Sequence, residues 1–320
     1  MFLIIYFMQN KYQFIHYFYM KKIFLALLIP ITFLLFSCED IVDVNLNKGE
    51  PQLAIDAFLN NLEGKQLIRL TITSAYLDNS PAKPALGAIV KVVANNGTTY
   101  DFVDNDNNGN YTWTPVGVQK IGVVGNTFTL SVTYQGETYS AVSKMNQVPA
   151  IDSLQVEFRE RDITGIKGYF AELYARDLPE LGDCYWIKGF KNGKLNIRPT
   201  AITTAYDAGF SPGGGINGIT FIRPLRRNSF DFVDNSNRTG DERLPPLNKG
   251  DVISGEIHSI TLETYYYLIE VGDQLQNGGL FARPPSNVRT NIINVNTASK
   301  KKAVGFFNVA AVSKVTKAAL

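Results

Sequence analysis

The chain has 320 residues, and its 31 lysines and arginines against 29 aspartates and glutamates exclude a nucleic-acid binder that works by bulk electrostatics. The slight excess sits at the start: residues 1–37 hold Lys11, Lys21 and Lys22 and no acid, and the remainder has 28 bases against 29 acids. Only Cys184 and His258 follow position 38 among the two cysteines and two histidines, which excludes Cys/His zinc sites, disulfide frameworks and c-type haem.

From Met20 the chain reads MKKIFLALLIPITFLLFSC. Lys21 and Lys22 form a positive start, and Ile23 to Phe36 is an apolar run of 14 residues broken only by Pro30 and Thr32. That run falls short of the ~20 residues a membrane-spanning helix needs and fits the core of a signal peptide. It ends in Leu35-Phe36-Ser37-Cys38, which resembles a bacterial lipobox: a small residue before the cut and a thiol to carry diacylglycerol. Residues 1–37 are therefore expected to be a signal segment with its true start at Met20, and Cys38 the lipid attachment site. Two or three acyl chains would make the anchoring effectively permanent. Glu39, Asp40 and Asp43 follow directly and resemble an acidic surface-export tag, although a solvated tether of the same composition is equally ordinary.

Residues 38–50 read as a lipidated linker that closes before Pro51. Short β-rich runs then begin. Leu53, Ile55, Ala57 and Leu59 alternate with other residues, Leu70 and Ile72 do the same, and Ile89 to Val93 is β-branched. Tyr100 to Val103 and Tyr111 to Thr114 add two more, and TFTLSVTY keeps period two until Gln135-Gly136 turns the chain into ETYSAVS. About seven strands in residues 51–148 is the density of an immunoglobulin-like or transthyretin-like β-sandwich. Such a sandwich is expected to hold a core of its own.

Asp104, Asp106, Asn108 and Gly109 form a D-x-D-x-N-G run that resembles the opening of a calcium loop. A full loop needs a bidentate acid at its twelfth position, where this chain has Pro115, so the run reads first as the Asx-rich tip of a hairpin.

Val148-Pro149-Ala150 marks the domain boundary, because a fresh alternation starts at Leu154, Val156 and Phe158. The second domain, 149–320, is expected to be β-rich, with strands at 153–160, 167–176, 184–191, 217–223, 251–260 and 303–310. Between them lies a loop-rich insertion at 198–250 containing Gly213-Gly214-Gly215 and Pro245-Pro246. One helix is expected near 261–275, where Leu262, Tyr265, Tyr266 and Ile269 recur at helical spacing behind Thr261 as N-cap. The fold class is thus all-β, two β domains with one α-helix.

No catalytic constellation emerges. His258 lies in the alternating run DVISGEIHSI without a G-x-S-x-G elbow anywhere, and reads as a structural histidine. Cys184 reads as a small buried thiol. The pairs Glu157 with Glu160 and Asp241 with Glu242 sit near bases and read as solvated faces. Gly213 to Gly215 lacks the lysine and following helix of a phosphate loop.

What remains is aromatic and basic. Phe210, Phe230 and Phe232 lie with Arg226 and Arg227 in the insertion, and Tyr265 and Tyr266 on the helix; these are residue types that carry interface hot spots. They are the candidate partner- or ligand-facing residues. Aromatics are also ordinary core residues, and the glycine, asparagine and proline content of 198–250 suits an unstructured insertion equally well.

Taken together, the lipobox, LGAIVKVVANNGTTYDF, NGNYTW, GETYSA, IDSLQVEF, DLPELGDCYWIKGF, TLETYYYLIEV, FARPPSNVRTNI and AVGFFNVAA resemble the Bacteroidota family of domain of unknown function 4249. The resemblance spans almost all of the chain after Cys38 and implies an outer-membrane lipoprotein often encoded beside TonB-dependent receptors, with no catalytic residue and no cofactor assigned. The expected function is a non-enzymatic accessory or ligand-binding partner of such a receptor, taking a small molecule, glycan or peptide, at the outer membrane and with the cell surface as its favoured face. A cell-surface hydrolase with an unrecognised site and a structural or adhesive surface protein are the alternatives.

The Cys38→Ala variant should escape acylation and retain its signal segment. Intact-mass analysis checks this: a wild-type mature chain that starts elsewhere than Cys38, or that carries no lipid, contradicts the assignment.

Overall fold

The computed structural model describes residues 50–74, 78, 80–160, 168–232, 247–278 and 286–320. The signal segment, Cys38, the linker up to Gly49 and the Asp241-Glu242 pair lie outside the described residues.

The alternation in the first third does what its period requires. In β1 (Leu53–Asn60) the residues Leu53, Ile55, Ala57 and Leu59 are all buried, and the residues between them are not. There follow β2 (Gln66–Ile72), β3 (Lys83–Pro84), β4 (Ile89–Ala94), β5 (Thr99–Phe102), β6 (Asn110–Trp113), β7 (Thr127–Tyr134) and β8 (Glu137–Lys144). Gln135 at φ 48° and Gly136 at φ 78° close the tight hairpin between β7 and β8.

The second part carries β9 (Ile151–Arg159), β10 (Gly168–Ala175), β11 (Cys184–Lys191), β12 (Lys194–Leu195), β13 (Thr203–Tyr206), a short α1 (Arg223–Arg227), β14 (Val252–Ile260), α2 (Leu262–Leu275), β15 (Ile293–Asn294), β16 (Ala303–Ala310) and β17 (Val312–Ala318). The protein is all-β in class, with two helices among the described residues. The strand expected at 217–223 is instead a single bridge between Thr220 and Arg176. Pro224 then sits in the first turn of α1, where its fixed φ suits a helix start and its missing N–H costs nothing.

Two sheets face each other around the first core. One runs β16-β1-β2-β3, with β6 also on β2, and the other runs β15-β8-β7-β4-β5. Leu59, Ile68, Leu70, Val92, Phe128, Leu130 and Val132 meet between them, and so do Ile292, Phe307 and Val309. The first sandwich therefore extends beyond the 51–148 segment expected to close it: β16 pairs parallel with β1 along all eight residues, Leu53 opposite Ala303 to Asn60 opposite Ala310. Burying Phe307 and Val309 contributes about 1.5–3 kcal/mol each, and a fragment ending at residue 149 lacks both. Gly305 permits the pairing. It has φ +97°, and a Cβ there would lie 2.1 Å from the Ile55 carbonyl oxygen.

The second core lies on a sheet in which β11 is flanked by β14 and, on its other edge, by β12 and β13, with β17 beyond β14. The β9–β10 hairpin supplies Leu154, Ala171 and Leu173 to it. Gly189 and Gly255 stand opposite each other on β11 and β14, and together they leave room on the sheet face. Ser229 and Phe230 of the insertion fill that room. A Cβ on Gly189 would meet the Ser229 carbonyl oxygen at 2.1 Å, and one on Gly255 would meet Leu173 at 2.5 Å and Phe230 at 3.0 Å. Ser229 Oγ donates to the Ile187 carbonyl at 2.6 Å, and Asn196 Nδ2 donates to the Ser229 carbonyl at 3.1 Å. In its described portion the stretch is thus a packed layer that contributes Phe221, Leu225, Phe230 and Phe232 to the core.

Candidate functional site

Helix α2 begins where the sequence places its cap: Thr261 Oγ1 accepts from Thr264 N at 3.2 Å. Asn308 of β16 fixes that end, its Oδ1 accepting from Thr264 Oγ1 at 2.8 Å. The buried face is turned from the expected one. Leu262 is 46 % exposed, while Tyr265, Leu268 and Gly272 face inward. Tyr267 then stacks on Phe306 of β16 with ring centroids 4.5 Å apart, so α2 lies against the first sandwich as well as the second sheet.

Of the aromatic candidates, Phe230 and Phe232 are 4 % and 2 % exposed and pack in the second core, where Phe230 fills the space over the glycine pair on β11 and β14. Tyr265 is buried too, its hydroxyl donating to the Phe210 carbonyl. These three do not face a partner. Arg226 and Arg227 converge on the buried Glu172, with Arg226 Nη2 at 3.0 Å from Oε1 and Arg227 Nε at 3.3 Å from Oε2, and Arg226 also lies over the Tyr174 ring at 4.4 Å. Both guanidinium groups are thus held against one carboxylate. Phe210 is 45 % exposed, and Tyr266 lies half-buried beneath the Arg289 guanidinium, 4.8 Å from its ring centroid. Of the seven, Phe210 is exposed, and Tyr266, Arg226 and Arg227 are partly exposed.

The D-x-D-x-N-G run, expected at a hairpin tip, lies instead in the crossing from β5 to β6, which belong to different sheets and are linked by the single antiparallel bridge of Val103 with Thr112. Asp104 Oδ1 accepts from Asn108 N at 3.2 Å and Oδ2 from Gly109 N at 2.9 Å, so both carboxylate oxygens serve the loop's own amides. Among the described residues no three His, Cys, Asp or Glu side chains come together as a cation site. The other acids behave alike. Asp207 Oδ1 accepts from the backbone N–H of Gly182 and of Asp183, and Asp177 accepts from the Tyr185 hydroxyl at 2.8 Å and from Gly218 N at 3.0 Å. Burial, with Asp177 and Asp207 close by, pushes the Asp183 carboxyl up to about 6. Burial likewise pushes the Cys184 thiol up to about 12, where it makes a poor nucleophile.

His258 stands in a polar row on the face of the second sheet away from its core. Register places it opposite Trp186 and Val312, and places Glu256 between Lys188 and Lys314. His258 Nε2 lies 2.9 Å from Glu256 Oε2, and Lys314 Nζ lies 3.1 Å from Glu256 Oε1. Burial, reinforced by the positive charge of Lys188, pushes His258 down to about 4 against the pull of Glu256. It is neutral at pH 7 and shielded from solvent.

Among the described residues one open feature is a groove of about 410 Å3 beside α2. Ser140, Ala141 and Val142 of β8 form one wall, and Arg289, Thr290 and Asn291 form the other. Ile293, Phe306 and Glu263 of the first turn of α2 complete the lining. Arg289 is held in place by Glu270: its Nε and Nη2 donate to Oε1 at 2.9 and 2.6 Å, and its backbone N–H donates to Oε2 at 2.8 Å. The Arg289 hydrogen bonds hold the Glu270 carboxyl below its usual range. A pocket of this size with mixed apolar and polar walls falls in the range that takes small ligands or short chain segments. Nothing in the sequence around residues 140 or 290 announces it.

A family profile described as domain of unknown function (DUF4249) matches residues 39–316. The chain belongs to the DUF4249 family. No curated protein matches it.

As pH falls through 6.5, an unfolded His258 takes up a proton that the native one refuses until about 4, so this residue contributes stability at neutral pH that is lost toward pH 4. Between pH 7 and 4.5 the wild type should lose about 2 to 3 kcal/mol relative to His258→Gln, at roughly 1.4 kcal/mol per pH unit. Denaturant unfolding of both proteins at the two pH values checks this, and parallel losses contradict it.

Proposed function

We propose that this DUF4249 protein is a lipid-anchored protein of the cell envelope that acts by binding, as an accessory of a TonB-dependent outer-membrane receptor. Cys38 supplies the anchor and residues 39–50 the tether, which leaves the β-rich body free to meet a partner in the outer membrane. Among the described residues no helix is long and apolar enough to cross a membrane.

The observation that carries the binding role is the groove beside α2. The groups that would do chemistry elsewhere are engaged: His258 is buried on Glu256, the Cys184 thiol is shielded, and Asp104, Asp177 and Asp207 hold backbone amides. The groove instead offers apolar surface at Val142 and Ile293, a fixed ion pair at Arg289 and Glu270, and the Glu263 carboxylate. A site of that kind can hold and orient a ligand.

Affinity purification of the tagged full chain from membranes in mild detergent tests the reading. The expected result is a co-purifying β-barrel receptor in near-stoichiometric amount. A chain recovered alone, or one that turns over an envelope polymer, overturns it.

A further inference from the structure

β8 pairs with β7 along its whole length, and antiparallel pairing commits alternate residues to that neighbour. Met145, just beyond the strand, sets the phase: its N–H donates to the Asn126 carbonyl at 2.9 Å and its carbonyl accepts from Gly125 N at 2.8 Å. Odd-numbered residues of β8 therefore bond to β7, and Thr138, Ser140 and Val142 direct their backbone groups to the other edge. β15 serves the first two of these. Val295 N donates to the Thr138 carbonyl at 2.8 Å, and Ser140 stands opposite Ile293.

One step further, the ladder stops. The residue due opposite Val142 is Asn291, and its side chain turns instead to β16, donating to the Phe307 carbonyl at 2.8 Å and accepting from Phe307 N at 3.0 Å. The chain at 289–291 thus diverges from β8, and the groove opens in the fork. The Val142 N–H and carbonyl meet no partner among the described residues, and the Val142 side chain is 55 % exposed.

We infer that this edge of β8 takes an extended peptide, added as a strand that continues the β15 ladder past Val142. The inference rests on the binding role proposed above and names the class of ligand. A donor and an acceptor on one residue, continuing a ladder already begun by β15, suit another extended backbone, whereas an anion would meet the N–H alone. Val142 and Ile293, which is 65 % exposed, offer apolar contact to alternate side chains of the incoming strand. Charge narrows the choice further. Arg289 is neutralised by Glu270, whereas Glu263 has no ion-pair partner among the described residues, so the peptide carries a lysine, an arginine or a free amino terminus. The free edge is short, bounded by β15 and by the charged Lys144, which disfavours pairing between two copies.

The test uses the full chain in mild detergent with a fluorescein-labelled peptide, Lys-Val-Thr-Val-Thr, and two versions of it N-methylated on one or the other set of alternate amides. Saturable binding is expected, weakened at least about tenfold by methylation in one set and little in the other, because only one set faces β8. Glu263→Gln should weaken the unmethylated probe about threefold. The Val142 amide should exchange with solvent freely in the unbound chain and slow at least about tenfold with peptide, while the Ala141 amide is protected throughout. Absence of saturable binding, equal loss with both methylated sets, or a concentration-dependent dimer that protects Val142 overturns the inference. Receptor capture from the same preparation separates the two claims. Peptide binding without a receptor supports the strand-addition site and removes the receptor, whereas receptor capture without peptide binding overturns the site alone.

Discussion

Residues 303–318 form two strands joined by a single residue, and both cores hang on that join. β16 completes the first sandwich beside β1, Ala311 crosses, and β17 then pairs with β14 from Val312 opposite His258 to Ala318 opposite Val252. Ser259 grips the crossing: its N–H donates to the Ala311 carbonyl at 2.9 Å, and its Oγ accepts from Ala311 N at 3.1 Å. Asn61 Oδ1 takes the next N–H, that of Val312, at 2.9 Å. Polar groups buried at the junction are thus satisfied by partners from both halves. The parallel pairing of β1 with β16 joins the two ends of the described chain, so the first core closes only after an ordering cost that local hairpins such as β7–β8 never meet.

The same join positions the groove. Because β16 lies beside β1, Asn291 has a backbone edge to bond at Phe307, and the segment before β15 is drawn off β8 toward it. Helix α2 is pinned to β16 through Asn308 and through the stack of Tyr267 on Phe306, which brings Glu263 to the mouth. A recognition site of the proposed kind, made largely of backbone groups at one fork in a sheet, needs no sequence motif. Among the described residues, meanwhile, His258, Cys184, Asp104, Asp177 and Asp207 are engaged within the fold.

Much of the fold was legible where one face of an element is buried and the other is wet. The alternation in Leu53–Leu59 and in TFTLSVTY, the Gln135-Gly136 turn and the Thr261 cap all act locally, so the residues carry the signal themselves. Pairing partners are tertiary. AVGFFNVA reads as a strand, but nothing in it says that it belongs beside β1, and a boundary drawn at Pro149 from local pattern gave the first sandwich 51–148 without it. β17, with the sequence VSKVTKA, is too polar to stand out from a loop. Phe230 and Phe232 looked like surface anchors because they sit among asparagines and glycines. What receives Phe230 is a gap left by Gly189 and Gly255, at positions far away in sequence. The groove was illegible for the same reason, since it depends on where residues 289–291 leave a neighbouring strand.

The central claim is that the β16–β17 join makes the two cores one cooperative unit, and native-state hydrogen exchange of backbone amides tests it most directly. Leu59 and Val309 of the first sandwich and Ile187 and Ile257 of the second sheet should exchange with a common opening free energy, rising and falling together with denaturant. Two separate opening free energies, one for each core, would contradict the account.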